Sequence, residues 1–550
     1  MTTPSLPAPP ISSPMPMQAK ATRFGRINPL LAILVGAFSA VVLLCGMLIS
    51  NGRKGRSGAD GVSSLTVYCA AGMRYPMVEI AEEYEREYGV KINLDYGGSN
   101  VLLSRLEVGK TGDLYLAGDA SYVEKAKEKG LAAESISLAL MRPVLVVDKN
   151  ENSISKIEDL LKENVRLAIG DPDAAAVGKK TRKLLTASGH WEQIEARVKE
   201  TGVYLDTVNK VANTVQVSTG KGVVWAGIVW DSTAHQYPDL AAIRTPELDA
   251  GEAEVQITVL KSSQAPTAAL RFARFVAAKD RGLKTFQKHG FDVVDGDKWA
   301  VAPEITFFAG AVNRMALESV IERFAEREGV EINTIYNGCG ILTSQMKTID
   351  GEGGAGFPDM FMACDVFYLD VVKDMFLDGT NVSETDIVMV VAKGNPLKIA
   401  TTSDLNRKGM RVAIGRPNQC TIGVLTKQLL EEQGLYAKLF ADNNIVTEAP
   451  SSAMLVPTIT TDAADVALAY ATDTLAEAER IDVVLIDSAS ARAVQPYSVA
   501  QSSDYKQLGQ RLFEAISQSR DDFEAAGFRW RLDDDTADVS TPSEQREPQS

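Results

Sequence analysis

Apolar and polar positions along the first half of the chain alternate between two periods. LTVYCA, from Leu65, is a short β-rich run. MVEIAEEYEREYG follows with apolar residues three and four apart and a glycine stop, the pattern of an amphipathic helix. KINLDY predicts the next strand, VLLSRLEVG a helix, DLYLAG a strand and SYVEKAKEKG a helix. Strands separated by helices imply a parallel sheet with crossover connections. MRPVLVVD then opens a second block: a strand, an IEDLL helix, the strand VRLAIG, a helix from Val177 and the strand GVVWAGIVW. Two αβ blocks imply two lobes, with a ligand between the carboxyl ends of their strands.

The pattern then starts again. ITFFAGAVNRMALESVIERFAEREGVEINTIYNGCGILTSQM, from Ile305, repeats the apolar and glycine positions of the segment from Leu65. MRVAIGRPNQCTIGVLTKQLL (from Met410) matches VRLAIGDPDAAAVGKKTRKLL (from Val165), and ALAYATDTL (from Ala467) matches AGIVWDSTA (from Ala226). Both copies close on Gly-Phe, at Gly290-Phe291 and Gly527-Phe528. A period this long means duplicated globular domains and not a solenoid. The expected organisation is residues 65–300 and 303–530 as two bilobal α/β domains in tandem. They are preceded by a disordered Pro-rich segment (1–28), an apolar segment (29–50) and a Gly/Ser/basic linker (51–64), and followed by a polar tail (531–550).

Composition narrows the function. A net charge of −15 over 550 residues argues against a nucleic-acid footprint. A small cleft still binds anions through backbone N–H groups without net charge. The three histidines, His190, His235 and His289, have no metal-pair spacing, and no nucleophile–base–acid constellation or phosphate-binding lysine loop appears. An enzyme is therefore not expected, nor a cofactor. The uncharged stretch Pro29–Ile49 is long enough to span a bilayer, so a membrane anchor with everything after Asn51 outside is expected, with a cleaved signal the alternative.

Four loops of the first copy run from a strand end into a helix N-terminus: CAAGMR, YGGSN, GDPDAAAVG and IVWDS. Their small residues let amides approach a ligand closely. The order of these loops, with GDP (Gly170–Pro172) and GIVW (Gly227–Trp230) the most specific pieces, resembles the molybdate/tungstate-binding solute-binding proteins of ABC importers, over nearly the whole of each copy. The resemblance implies a type II periplasmic-binding-protein fold and a tetrahedral molybdate or tungstate dianion held by neutral donors. It also implies delivery to an ABC permease and ATPase. Carried over by position, the family's first serine falls on Gly72 and its second on Ser99. Its backbone donors fall on Val177 and near Val211, and its tyrosine on Trp230. In the second copy the same positions are Val312, Cys339, Ile422 and Tyr470. Arg74 and Arg314 coincide just inside the first helix, where each faces either an anion or solvent.

Cys339, Cys364 and Cys420 all lie in strand-to-helix loops of the second copy, where the first has Ser99, Gly118 and Ala175. Three readings stay open: a disulfide or unconnected thiols, a thiolate site for a soft metal such as Cu(I) or Zn(II), or cysteines standing in for serine around an oxyanion. Asp113, Asp119, Asp359 and Asp365 recur in GDLYLAGD and PDMFMACD and read as strand-entry turns and helix caps. The leading expectation is an extracytoplasmic protein that captures a small oxyanion. The second is an anchored sensor or sequestering module whose second domain binds a soft metal.

Overall fold

A computed structural model describes residues 61–218, 223–349 and 354–533. The expected N-terminal segment, the anchor or signal at 29–50, most of the linker and nearly all of the tail lie outside the described residues. Among the described residues no helix is long and apolar enough to cross a membrane.

The first copy is two lobes, each built on its own sheet. Its strands are β1 (Ser64–Ala70), β2 (Lys91–Gly97), β3 (Leu114–Ala117), β4 (Ala132–Met141), β5 (Pro143–Asp148), β6 (Val165–Gly170), β7 (Val203–Leu205), β8 (Val224–Trp230), β9 (Leu240–Ile243), β10 (Ala253–Leu260) and β11 (Asp292–Val293). The first lobe has the order β11-β4-β10-β3-β1-β2 and the second β7-β6-β8-β5-β9. The parallel pairs β1–β2, β1–β3, β6–β7 and β6–β8 are those that the alternating pattern implies. Helices follow the strands: α1 (Arg74–Tyr88), α2 (Ser99–Gly109), α3 (Ala176–Ala187), α4 (Val208–Val217) and α5 (Pro266–Val276). In α1 the stripe Met77, Ile80, Ala81 and Tyr84 is buried, and Gly89 closes the helix at φ 70°, in the left-handed region. IEDLL forms only a short 3-10 turn.

The second copy repeats this order with one difference. Its strands are β12 (Glu304–Gly310), β13 (Glu331–Asn337), β14 (Met360–Met362), β15 (Thr380–Ala392), β16 (Val412–Gly415), β17 (Ile445–Ala449), β18 (Val466–Tyr470), β19 (Ile481–Leu485), β20 (Arg492–Val499) and β21 (Arg529–Trp530). Its helices include α6 (Arg314–Glu328), α7 (Cys339–Thr348), α8 (Thr421–Glu432) and α9 (Lys506–Ser517). Here β15 runs unbroken through both lobes, so one sheet of order β13-β12-β14-β20-β15-β18-β16-β17 spans them, with β19 and β21 also on β15. The corresponding stretch of the first copy breaks at Arg142 into β4 and β5. Register explains it: Pro143 pairs Trp230 as Ile387 pairs Tyr470, and Ile387 donates its amide to Ala491 O at 2.9 Å, a bond that proline has no N–H to make.

Each copy has its own apolar core, one from Leu65 to Phe291 and one from Ile305 to Phe528. Polar contacts join them. The Glu328 carboxylate, 1% exposed, lies between Arg511 (Nε to Oε1, 2.7 Å) and Arg274 (NH1 to Oε2, 3.1 Å). Burial opposes its charge, but the two guanidiniums win and hold the carboxyl below its usual range. Arg327 grips Glu134 with two bonds of 2.7 and 2.9 Å, and Asp297 accepts the amides of Gln507 and Leu508 at the start of α9.

Candidate functional site

In the first copy, four backbone turns converge where the lobes meet. The turn Ala71–Met73 follows β1, Gly98 and Ser99 follow β2, Ala175–Val177 open α3, and Thr207–Val208 open α4. Trp230 ends β8 and Gly118 follows β3. Together they line a cavity of about 20 Å³, the size of one small ion or a water. Amides in the first turn of a helix have no helical acceptor, so α3 and α4 present free donors at this point. The lining carries no ionisable side chain.

Ser99 is 2% exposed, and its Oγ accepts the Gly118 amide at 3.1 Å, which leaves the hydroxyl proton for another acceptor. The helix cap is Gly98, without a side-chain bond, so the serine is not spent on capping. The lobes also approach closely at Gly98: a Cβ there would lie 2.5 Å from both Ala174 O and Asp206 O. Any side chain at this point wedges the lobes apart. The closed arrangement is latched by Lys180 on Asp119 (2.9 Å), Asn100 Nδ2 on Asp173 O (2.6 Å) and Lys179 Nζ on Ser121 Oγ (3.1 Å).

Of the residues expected from sequence, Gly72, Ser99, Val177 and Trp230 line this cavity. Val211 does not: it is fully buried one turn into α4, and its amide donates to Thr207 O at 3.3 Å. Arg74 is absent from the lining too, being exposed with its guanidinium 5.2 Å from the centre of the Tyr96 ring. Thr207 and Val208 were not anticipated. Thr207 has a sequence signal, a threonine just before an apolar helical run. As the N-cap of α4 it makes no side-chain capping bond, so it adds a hydroxyl to a site that lacks one at Gly72.

The second copy preserves the frame and fills the space. Cys339 takes the place of Ser99 and keeps its bond, the Sγ accepting the Cys364 amide at 3.1 Å. Cys364 takes the place of Gly118, and its thiol lies 2.9 Å from the Cys339 sulfur. Room for it comes from Gly310, the counterpart of Ala70: a Cβ there would be 2.2 Å from the Cys364 sulfur. The remaining gap, lined by Cys364, Cys420, Ile422, Ser451, Ser452 and Tyr470 among others, has no measurable free volume. Tyr470 is 1% exposed, its hydroxyl has no hydrogen-bond partner, and burial raises its pKa well above the usual phenol range. Val312 is buried but outside the gap, and Arg314 is exposed, over Tyr336 and 3.4 Å from Glu318. The hydroxyls of Thr421, Ser451 and Ser452 were not anticipated.

The hydrogen bond to Cys339, with burial, raises the Cys364 thiol well above its usual pKa, and burial pushes Cys420 up to about 11. Neutral thiols are poor metal ligands. Among the described residues no group of three or more His, Cys, Asp or Glu side chains is arranged to hold a metal ion. The soft-metal expectation for Cys339, Cys364 and Cys420 therefore finds no support among the described residues. The recurring aspartates are structural: Asp119 and Asp365 cap helices through Ser121 N and Phe367 N, while Asp113 and Asp359 accept Thr66 N and Thr306 N.

Several known proteins resemble a part of the chain. A Haemophilus influenzae protein described as a binding protein is 31% identical over 232 residues, 42% of this chain and 91% of that one. The molybdate-binding protein ModA of Mycobacterium tuberculosis is 30% identical over 203 residues, 36% of this chain and 72% of that one. Among solved structures, the periplasmic molybdate-binding protein of Azotobacter vinelandii covers 41% of this chain and 98% of its own, at 16% identity and a TM-score of 0.36. The sequence profile of bacterial extracellular solute-binding proteins matches twice, over residues 65–292 and 305–529. The chain belongs to the bacterial extracellular solute-binding protein family and carries its domain in tandem.

Proposed function

We propose that the first copy captures a small, fully deprotonated oxyanion of the molybdate or tungstate type and delivers it to the permease and ATPase of an ABC importer. In this reading the chain is a binding protein and not an enzyme, held at the extracytoplasmic face through the segment at 29–50. The observation that carries it is Ser99, whose Oγ is occupied as an acceptor by Gly118 N–H and whose proton is left for a ligand, beside the amides that open α3 and α4. Such a lining consists of donors, with no carboxylate to accept a proton from the ligand. It therefore favours an ion that has none to give. The small cavity limits the ligand to a few heavy atoms.

Delivery follows from the hinge. The lobes are joined where β4 and β5 meet at Arg142, and a ligand bridging them stabilises the closed form by contacts absent in the open one. Isothermal titration of the full chain with molybdate, tungstate, sulfate and phosphate tests the reading. Saturable heat with molybdate or tungstate, weaker with sulfate and absent with phosphate at a pH where it carries a proton, is expected. No binding of any of the four sinks it.

A further inference from the structure

We propose that Cys339 and Cys364 form a redox-active pair, a modification site that a disulfide oxidant converts to an intradomain disulfide. Their sulfurs lie 2.9 Å apart, well inside van der Waals contact, in two loops that the Cys364 N–H to Cys339 Sγ bond already holds in register. Gly310 leaves open the space that the Cys364 sulfur occupies. The pair also stands apart from the other described thiols. Cys69 is buried in the first copy, and Cys420 lies on the opposite lobe, its sulfur directed to Arg416 O (3.6 Å) and Ala449 O (3.5 Å). An extracellular family places the chain where disulfides persist.

The chemistry is thiol–disulfide exchange. The first thiolate of the pair attacks one sulfur of an oxidant RS–SR, breaking that bond, forming a mixed disulfide and releasing RS⁻. The second thiolate attacks the protein sulfur of the mixed disulfide and expels the second RS⁻. The two thiol protons leave to solvent or to RS⁻, so the protein loses two hydrogens and the oxidant gains two electrons. Cys339 is fully buried and Cys364 is 4% exposed, so the exchange requires the cleft to open. Both cysteines belong to the first lobe, after β13 and β14. The bond therefore ties two loops of one lobe and leaves the hinge at β15 free, with Cys420 still a single thiol facing it.

The test uses the full chain, reduced, freed of reductant and exposed under native conditions to oxidised glutathione. It is then alkylated in denaturant and mapped by mass spectrometry. The expected result is a loss of two mass units and one cross-linked peptide pair joining Cys339 to Cys364. The link is absent in Cys339→Ser and Cys364→Ser and retained in Cys420→Ser. Because the first two variants disturb a packed cleft, Cys420→Ser, which leaves both sulfurs in place, keeps the test decisive. A bond from either cysteine to Cys420, or no Cys339–Cys364 bond after the folded protein has been held with excess oxidised glutathione, overturns the proposal.

Discussion

The two clefts share a frame and differ in what occupies it. The first encloses about 20 Å³ and the second none, although the same turns line both. One exchange stands out in the difference: Gly118 becomes Cys364, whose sulfur packs against the Cys339 sulfur where the first copy has no side chain. The change was accommodated, not merely tolerated, since Ala70 becomes Gly310 opposite it. The hinges diverge in the same reciprocal way. Arg142 faces Asp292 at 3.7 Å in the first copy, whereas Asp386 faces Arg529 at 2.6 Å in the second, with the charges exchanged between the same two strands. Duplication has thus preserved the two-lobed frame and closed one of its two clefts.

The largest effect that sharpens this comparison concerns the contact between the copies. Glu328→Ala strands Arg274 and Arg511 without their buried partner, and a loss of about 3–5 kcal/mol is expected. Calorimetry of the full chain should then show two separated transitions in place of a coupled one. Since the Glu328 pKa is lowered on folding, its contribution is present above the unfolded value and fades as pH falls through the depressed one. The variant and parent should therefore converge in acid.

Gly118→Cys comes next and makes the first cleft like the second. A Cβ at Gly118 lies 3.5 Å from Ser99 Oγ and 3.7 Å from the Ala176 methyl, so the backbone tolerates it, but the sulfur enters the cavity. A weakening of oxyanion binding of about a hundredfold, near 2.8 kcal/mol, is expected by titration. The reciprocal Cys364→Gly should admit a second, weaker equivalent.

Asp473, where the first copy has Thr233, is a smaller lever. Burial raises its carboxyl to about 6, partly offset by a bond from Ser452, and one of its oxygens has no partner. A pKa raised on folding leaves stability intact below the unfolded value and removes it as pH rises through about 6. Asp473→Asn should stabilise the second domain by about 1–3 kcal/mol at pH 8 and hardly at all at pH 4, read as a Tm difference. The smallest effect expected is that of Ser99→Ala, which removes one neutral donor. It should weaken oxyanion binding about tenfold and, by leaving the buried Gly118 N–H without its acceptor, also lower Tm.

Much of this was legible in sequence because it is local. The strand–helix alternation, the restart at Ile305 and the small residues at the turns each follow from a few adjacent positions. Ser99, Val177 and Trp230 came from loops whose short motifs could be matched by position. Val211 was misplaced because a one-residue length difference blurred the match, and the residues of that helix start that line the cavity are Thr207 and Val208. The closure of the second cleft was not legible. It depends on Cys364 meeting the bare Cα of Gly310 across neighbouring strands, a packing event between residues far apart in the chain. The unbroken β15 follows from Ile387 standing where the first copy has Pro143, a signal present in the sequence and readable once the register is known.

The most direct test of two divergent clefts on one chain is the stoichiometry of tungstate or molybdate binding by the reduced full-length protein. Titration should give one equivalent, weakened about a hundredfold by Gly118→Cys and unaffected by Cys364→Ser. Two equivalents of comparable affinity, or one whose affinity Gly118→Cys leaves unchanged, would contradict the account.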